Sequence, residues 1–443
     1  LEMEVPRLKK LSVLAGGVLL STPLALTHFY GNLLPYLASY FHYHKDRMLY
    51  PMDPLWVATM FRSFFSLSMV FTSPIELRFG KFPCIVAGGV VMCVSVVCSY
   101  FAVVEPVALS LIFGVTHGIA VGVVYPLTLK LLLQTWGDKG GTAVGFMAMG
   151  PPLGAMINIG IAYGVINPTN KEADLEVGSH VYFSDADTLR HVPYYFLVMG
   201  GGLVVANVLG ISLLYYGSRG VNHESIAPKR ISSSRYMTLS ENKDQTFSDK
   251  HTNIKDKTKP TGRSTPKIKF AFDLSPSEML GTLQFWLVWL CCLGISHSFY
   301  VHLSLYKEYG QRAISNDALL ASTAILGMAA MIFIRPNVGI VSDKFGIRAT
   351  AFAMCAGSSV FMSLVVVGFY AGAAVFVVMT LVTFVLVSLQ LMVTSILTSH
   401  YFGKTHYASN MGLVCSGQLL LIFLEPLLVE AVIDHLGWDY LFL

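Results

Sequence analysis

The chain has 443 residues, of which 54% are hydrophobic and only 13% charged, with a formal net charge of +4. A water-soluble domain carries about a quarter charged residues, so this chain is too poor in charge to cover its own surface in water and belongs in a lipid bilayer. A soluble enzyme, a nucleic-acid binder and a disordered scaffold are excluded on this ground.

A membrane helix needs about 20 mostly apolar residues. Eleven such runs follow in chain order. Six lie at 11–41, 54–75, 82–104, 106–133, 142–165 and 193–216, and five at 279–305, 314–341, 349–370, 373–399 and 407–433. The first is too long for the h-region of a signal peptide, which is about 7–15 residues. A twelfth run begins at Gly437-Trp438-Asp439-Tyr440-Leu441-Phe442, where the chain stops, so the expectation is two halves of six with the last helix cut short. The fold class expected is therefore an all-α membrane protein. Its parts are an N-terminal bundle at 1–216, a central loop at 217–278, and a C-terminal bundle at 279–443.

The central stretch is of another kind. From 217 to 270 it holds 12 Lys/Arg against 5 Asp/Glu, with Ser232-Ser233-Ser234 and few large apolar residues. Such a composition cannot bury a core and is expected to be mostly disordered. Leaving it aside, ten Lys/Arg fall on the side of the N-terminus and six on the other. Positive charge marks the cytoplasmic side, so the N-terminus and central loop are expected inside. In the longest outer loop, Asn167-Pro168-Thr169 is no glycosylation acceptor, because Pro holds the forbidden position.

The seven cysteines all lie in apolar runs and match no metal or disulfide spacing, so they read as packing residues. No phosphate-binding loop or ligand cluster stands out, and no cofactor is expected. Gly114, Gly118 and Gly122, four apart, read as a close-packing stripe. The Gly150-Pro151-Pro152 step is expected to kink the fifth run.

An internal repeat is visible. Arg78-Phe79-Gly80 returns as Lys344-Phe345-Gly346, and Trp136-Gly137 as Phe402-Gly403, both 266 residues later. Phe29-Tyr30 returns as Phe299-Tyr300 at offset 270. A repeat of six helices is the mark of a secondary transporter whose halves rock about a midplane site.

Gly339 followed by Asp343-Lys344-Phe345-Gly346-Ile347-Arg348 resembles the loop signature of the major facilitator superfamily. In the first half the matching stretch is Glu76-Leu77-Arg78-Phe79-Gly80-Lys81, with Leu77 where the second half has Asp343. A narrower resemblance is to the monocarboxylate porters and oxalate–formate antiporters. It rests on Arg335-Pro336-Asn337-Val338-Gly339, on Trp136 to Gly145 leading into Gly150-Pro151-Pro152-Leu153-Gly154, and on Tyr401-Phe402-Gly403-Lys404 followed by Asn410-Met411-Gly412. The chain departs from that pattern. Met331 stands where many porters have an acid one turn before the arginine. Leu34 replaces a lysine of the first span, and the eleventh span carries Glu425 and no lysine.

The resemblance implies a two-bundle major facilitator fold and an alternating-access carrier of a small organic anion, a monocarboxylate, by proton symport or anion exchange. A plasma-membrane location goes with it. An accessory membrane protein is left unspecified. A carrier of another solute (amino acid, neutral compound or drug) and a non-transporting receptor or scaffold remain as alternatives. Arg335 in the eighth span is costly unless something compensates for it, and its planar fork suits a carboxylate. Its alternative role is a brace for the Asp343 loop. Arg62 in the second span is either a second anion contact or a gate, or it pairs locally. His28 and His297 are candidate proton carriers or substrate contacts, because the first and seventh spans line the cavity of this superfamily. Tyr30 and Tyr300 are candidates to orient a substrate. Glu425 is either a protonatable coupling partner of Arg335 or its structural counter-charge. Asp343, Lys344, Gly346 and Arg348 are expected to form a conformational-switch loop.

Overall fold

The computed structural model describes residues 6–44, 55–169, 171, 174–177, 180–219, 273–312, 314 and 317–443. Most of the central loop (220–272) and Lys45 and Arg47 lie outside the described residues, as do the side chains of Glu425 and Lys307.

The first apolar run is not one helix. It is α1 (Arg7–Ser21), a 3-10 turn at Thr22–Ala25 with Pro23 in its first turn, and α2 (Leu26–His44). Then come α3 (Leu55–Phe79) and α4 (Lys81–Ala102). The fourth run opens with the short α5 (Pro106–Leu109), passes through a π-helical segment at Ser110–Thr116, and continues as α6 (His117–Trp136). The fifth is also divided, into α7 (Gly140–Met147) and α8 (Gly150–Val165). The kink expected at Gly150-Pro151-Pro152 is in fact a restart. Both prolines sit in the first turn of α8, where their missing N–H groups would have no partner anyway.

The loop after α8 carries a small antiparallel ribbon, β1 (Leu175–Val177) and β2 (His180–Tyr182), with Glu176 opposite Val181. The short α9 (Ala186–Arg190) follows, capped by Asp185, whose carboxylate accepts from Thr188 N at 2.9 Å. The sixth run is α10 (Val192–Ser218).

In the second part, α11 (Pro276–Leu280) starts on a capping box of Ser275 and Glu278. The long helices are α12 (Leu283–Gln311), α13 (Asp317–Phe345) and α14 (Ile347–Ala371). The tenth run splits into α15 (Ala373–Ser388) and α16 (Gln390–Phe402), and α17 (Tyr407–His435) completes the long helices. The last residues form a 3-10 turn at Trp438–Leu441.

Among the described residues, eight helical stretches are long and apolar enough to cross a membrane by length and composition. One of them, Pro106–Val165, contains the Gly137–Lys139 turn and therefore holds two runs. The outward faces are apolar: Val205 and Val208 on α10, and Phe352 and Val367 on α14, are exposed. Apolar faces of this kind suit a lipid environment.

The repeat has a backbone counterpart. Gly80 and Gly346 end the second and eighth runs at φ of 86° and 92°, and Gly137 and Gly403 end the fourth and tenth at 55° and 82°. Side chains rarely tolerate positive φ, so glycine recurs at these turns. The glycine stripe of the fourth run lies against α3. A Cβ at Gly118 would stand 2.6 Å from Phe61 O, so only glycine admits the α3 backbone there.

In the first part, α1 packs on α10, α4 on α10 and α6, and α3 on α6. In the second, α12 packs on α17 and α15, and α14 and α13 pack on α15. Between the parts, α3 meets α17, and α13 meets α7 and α8.

Candidate transport cavity

Three interruptions of the long helices meet at one place. They are the turn at Thr22–Ala25, the α7–α8 break at Ala148, and the α15–α16 break between Ser388 and Gln390. Irregular backbone at membrane depth is stable where it lines a cavity or is buried in protein. A cavity of about 110 Å³ lies here, between the two parts of the chain, and Leu24, Ala148, Ser388 and Gln390 all contribute to its wall.

Four of the residues singled out in the sequence converge on it: His28, Arg62, Tyr300 and Arg335. Arg335 is 4% exposed. One terminal nitrogen donates to Ala148 O at 2.5 Å and the other to Ser388 O at 3.0 Å, with Met331 Sδ at 3.9 Å. The guanidinium therefore ties together carbonyls released by two helix breaks, one on each side of the cavity. Its Nε–H has no hydrogen-bond partner among the described residues. Arg62 lies over the Tyr300 ring at 5.5 Å and donates to Thr27 O at 3.5 Å. His28 meets Phe299 edge-on at 5.9 Å. Its Nδ1 is 2.9 Å from Thr27 Oγ1, and its Nε2 is buried with no partner among the described residues.

Two expected contacts stand elsewhere. Tyr30 is buried in the core and His297 is not part of the cavity wall. The helical periodicity explains His297: its neighbour Ser296 faces the cavity, and adjacent residues on a helix point about 100° apart. The backbone of Glu425 is part of α17.

The cavity also has a polar side that sequence reading missed. Gln390, Gln418 and Ser296 line it. The signal was available for the glutamines, since an amide inside an apolar run is as anomalous as a charge. The break that aims Gln390 has no Pro or Gly to announce it. Among the described lining residues there are two guanidinium groups and no carboxylate.

The loop of Asp343 joins the two parts of the chain. Asp343 accepts from Gly141 N at 2.8 Å and from Thr142 N and Oγ1, both at 2.6 Å. The carboxylate thus caps the start of α7, where the helix dipole favours negative charge. Lys344 lies over Phe345 at 5.3 Å, and Arg348 over Tyr401 at 5.4 Å. Gly346 supplies the positive φ between α13 and α14. Nearby, Lys404 Nζ donates to Leu133 O at 3.1 Å, and Ser409 N to Ser73 Oγ at 3.0 Å. Burial pushes the Lys404 ammonium below its usual range, opposed by Asp138 and Asp273.

The first-half counterpart, Leu77, is 80% exposed and caps nothing. There Glu76 pairs with Lys130 at 2.8 Å, within the first part of the chain. Of the two matching stretches, the second-half one therefore bonds across the parts of the chain.

The model of the Major Facilitator Superfamily matches residues 17–424. The chain belongs to this superfamily. It is accordingly a multi-pass membrane protein and a secondary transporter, with no enzymatic role. Its fold is similar to that of the proton:xylose symporter XylE bound to 6-bromo-6-deoxy-D-glucose, with a TM-score of 0.64 at 12% identity, covering 98% of this chain and 91% of that one. It is also similar to the E. coli fucose:proton symporter FucP, with a TM-score of 0.58 at 11% identity, covering 98% and 94%. FucP in an outward conformation gives a TM-score of 0.55 at 11% identity, covering 97% and 95%. At such identities the likeness is one of fold. No curated protein sequence matches the chain.

Proposed function

We propose that this secondary transporter moves a small organic anion, of the monocarboxylate class, by alternating access, through proton symport or anion exchange. The observation that supports it is the charge of the cavity: Arg335 and Arg62 face it, and no carboxylate stands among its described lining residues. Buried positive charge is costly in a membrane interior, and an anionic solute offsets that cost. In this reading Arg335 and Arg62 contact the anion, Tyr300 orients it, and His28 is the candidate proton carrier. Glu425 is the coupling candidate on α17. The N-terminus and central loop face the cytoplasm of a plasma membrane. The contacts around Asp343 then close the cytoplasmic side, which makes this the outward-facing arrangement. The loop of Asp343, Lys344, Gly346 and Arg348 breaks and re-forms as the 1–216 and 279–443 bundles rock.

A second reading is a neutral polar solute such as a sugar, favoured by Gln390 and Gln418 in the wall and by the solutes named for the fold neighbours.

Counterflow in proteoliposomes separates the two. The panel is lactate, pyruvate, formate, oxalate, amino acids and xylose at two external pH values. Counterflow of the anions, with a pH dependence if protons are carried, is the expected result. Exchange of xylose alone would overturn the anion reading.

A further inference from the structure

Hydrogen-bond bookkeeping at the cavity wall determines which atoms are left for a solute. Ser296 Oγ donates its only proton to Cys292 O at 2.6 Å. It therefore has only lone pairs for Gln390, and the glutamine must turn its NH2 group to Ser296. The same Nε2 lies 3.7 Å from Cys292 Sγ. The amide is planar, so the carbonyl Oε1 points away from these wall groups. Oε1 has no hydrogen bond to the described residues and is not among the side-chain atoms sealed from solvent without one. Gln390 thus presents an acceptor to the cavity it lines.

His28 is fixed in the same way. Thr27 Oγ1 donates to Leu24 O at 3.1 Å, so it accepts from His28 Nδ1–H at 2.9 Å. The neutral ring then carries its lone pair on Nε2, which is buried without a partner among the described residues. The wall therefore combines guanidinium donors with two acceptors. A carboxylate satisfies the donors but leaves His28 Nε2 buried without a partner, and it leaves Gln390 Oε1 unpaired once the solute displaces solvent from the cavity.

We infer that the transported anion carries a hydroxyl group and that Gln390 reads it, so that hydroxycarboxylates are selected over keto and unsubstituted carboxylates of the same size. This rests on the anion reading above. An ammonium would also donate, but it would set a positive charge beside Arg62 and Arg335 with no carboxylate among the described lining residues. A site that hydrogen-bonds a substrate hydroxyl rejects the analogue lacking it more strongly than an apolar pocket rejects a missing methylene.

The test is competitive uptake of lactate, pyruvate and propionate, with xylose as the neutral control, by the full chain in proteoliposomes. Wild type should favour lactate by about tenfold, the effect of one good hydrogen bond. Gln390→Met keeps the side-chain length and removes the acceptor, and the preference should fall to about twofold or less. Ser296→Ala leaves the glutamine in place but releases its amide to turn, and should lower the same ratio. It decides the matter if Gln390→Met fails to fold. Equal uptake of the three acids by wild type, or a ratio unchanged in both variants, overturns the inference and leaves the anion carrier standing. Uptake of xylose with none of the acids overturns both.

Discussion

Adding one methyl group at Gly145 should drive the protein out of the arrangement described here. Gly145 on α7 lies against α13, and a Cβ on it would stand 2.6 Å from Arg335 O and 3.1 Å from the Cα atoms of Gly339 and Pro336. Comfortable contact begins at about 3.5 Å, so the helices are short by roughly 1 Å. Every one of these neighbours is backbone, so no side chain can swing aside. Overpacking of this kind costs about 1–3 kcal/mol when the structure must absorb it. Here it is relieved once α7 and α13 separate, as they must when the Asp343 end opens. With about 1.4 kcal/mol per factor of ten, the closed population falls by roughly 5- to 150-fold relative to the open one.

The assay is hydrogen exchange at the start of α7, because the Gly141 and Thr142 amides are protected by Asp343 only while this end is closed. Gly145→Ala should speed their exchange by a factor in that range, while the α3–α6 contact stays protected. Unchanged exchange in a protein that remains monodisperse would refute the reasoning, since it would mean that the close approach of α7 and α13 does not hold the closed state.

Arg335→Lys conserves charge but loses the planar fork that spans Ala148 O and Ser388 O, so anion affinity should fall about tenfold or more. Arg335→Ala should abolish anion binding while the protein stays in the membrane; wild-type affinity in a monodisperse Arg335→Ala protein would shift the anchor to Arg62. Asp343→Asn turns charge-assisted bonds to Gly141 and Thr142 into neutral ones, a loss of about 1 kcal/mol, and should slow counterflow more than it weakens equilibrium binding. Equal effects on both would show that the loop is no state-dependent latch. In the loop after α8, Asp185 is held down to a pKa of about 2 by Lys171 and Thr188. Its folded value lies below its unfolded one, so its support for α9 is present above the ordinary carboxylate range and is lost as pH falls toward 2. The Thr188 amide resonance should hold its position from pH 7 to about 5 and move only below about 4; movement near neutrality would contradict the pairing.

The amino-acid order alone carries the membrane class, the runs and the repeat. Each is a property of composition or period, and a span of about 20 apolar residues has few stable options other than a helix in a bilayer. The glycines at 80, 137, 346 and 403 were legible as repeat marks, and their positive φ shows why no other residue serves there. Arg335 and Arg62 were legible because a charge inside an apolar run is an anomaly with a cost.

What the linear pattern could not decide is which of these anomalies meet. His28 and Arg335 are 307 positions apart, yet both line one cavity, whereas His297, one residue from Ser296, does not. Nor does any local signal mark the break at Ser388–Leu389 that turns Gln390 into the wall. It follows from packing among α12, α15 and α16, and from Arg335 taking up the carbonyl of Ser388. Hydrogen-bond direction is likewise a tertiary property: Ser296 commits its proton to Cys292 within its own helix, and only the approach of α16 makes that commitment orient a glutamine 94 residues away.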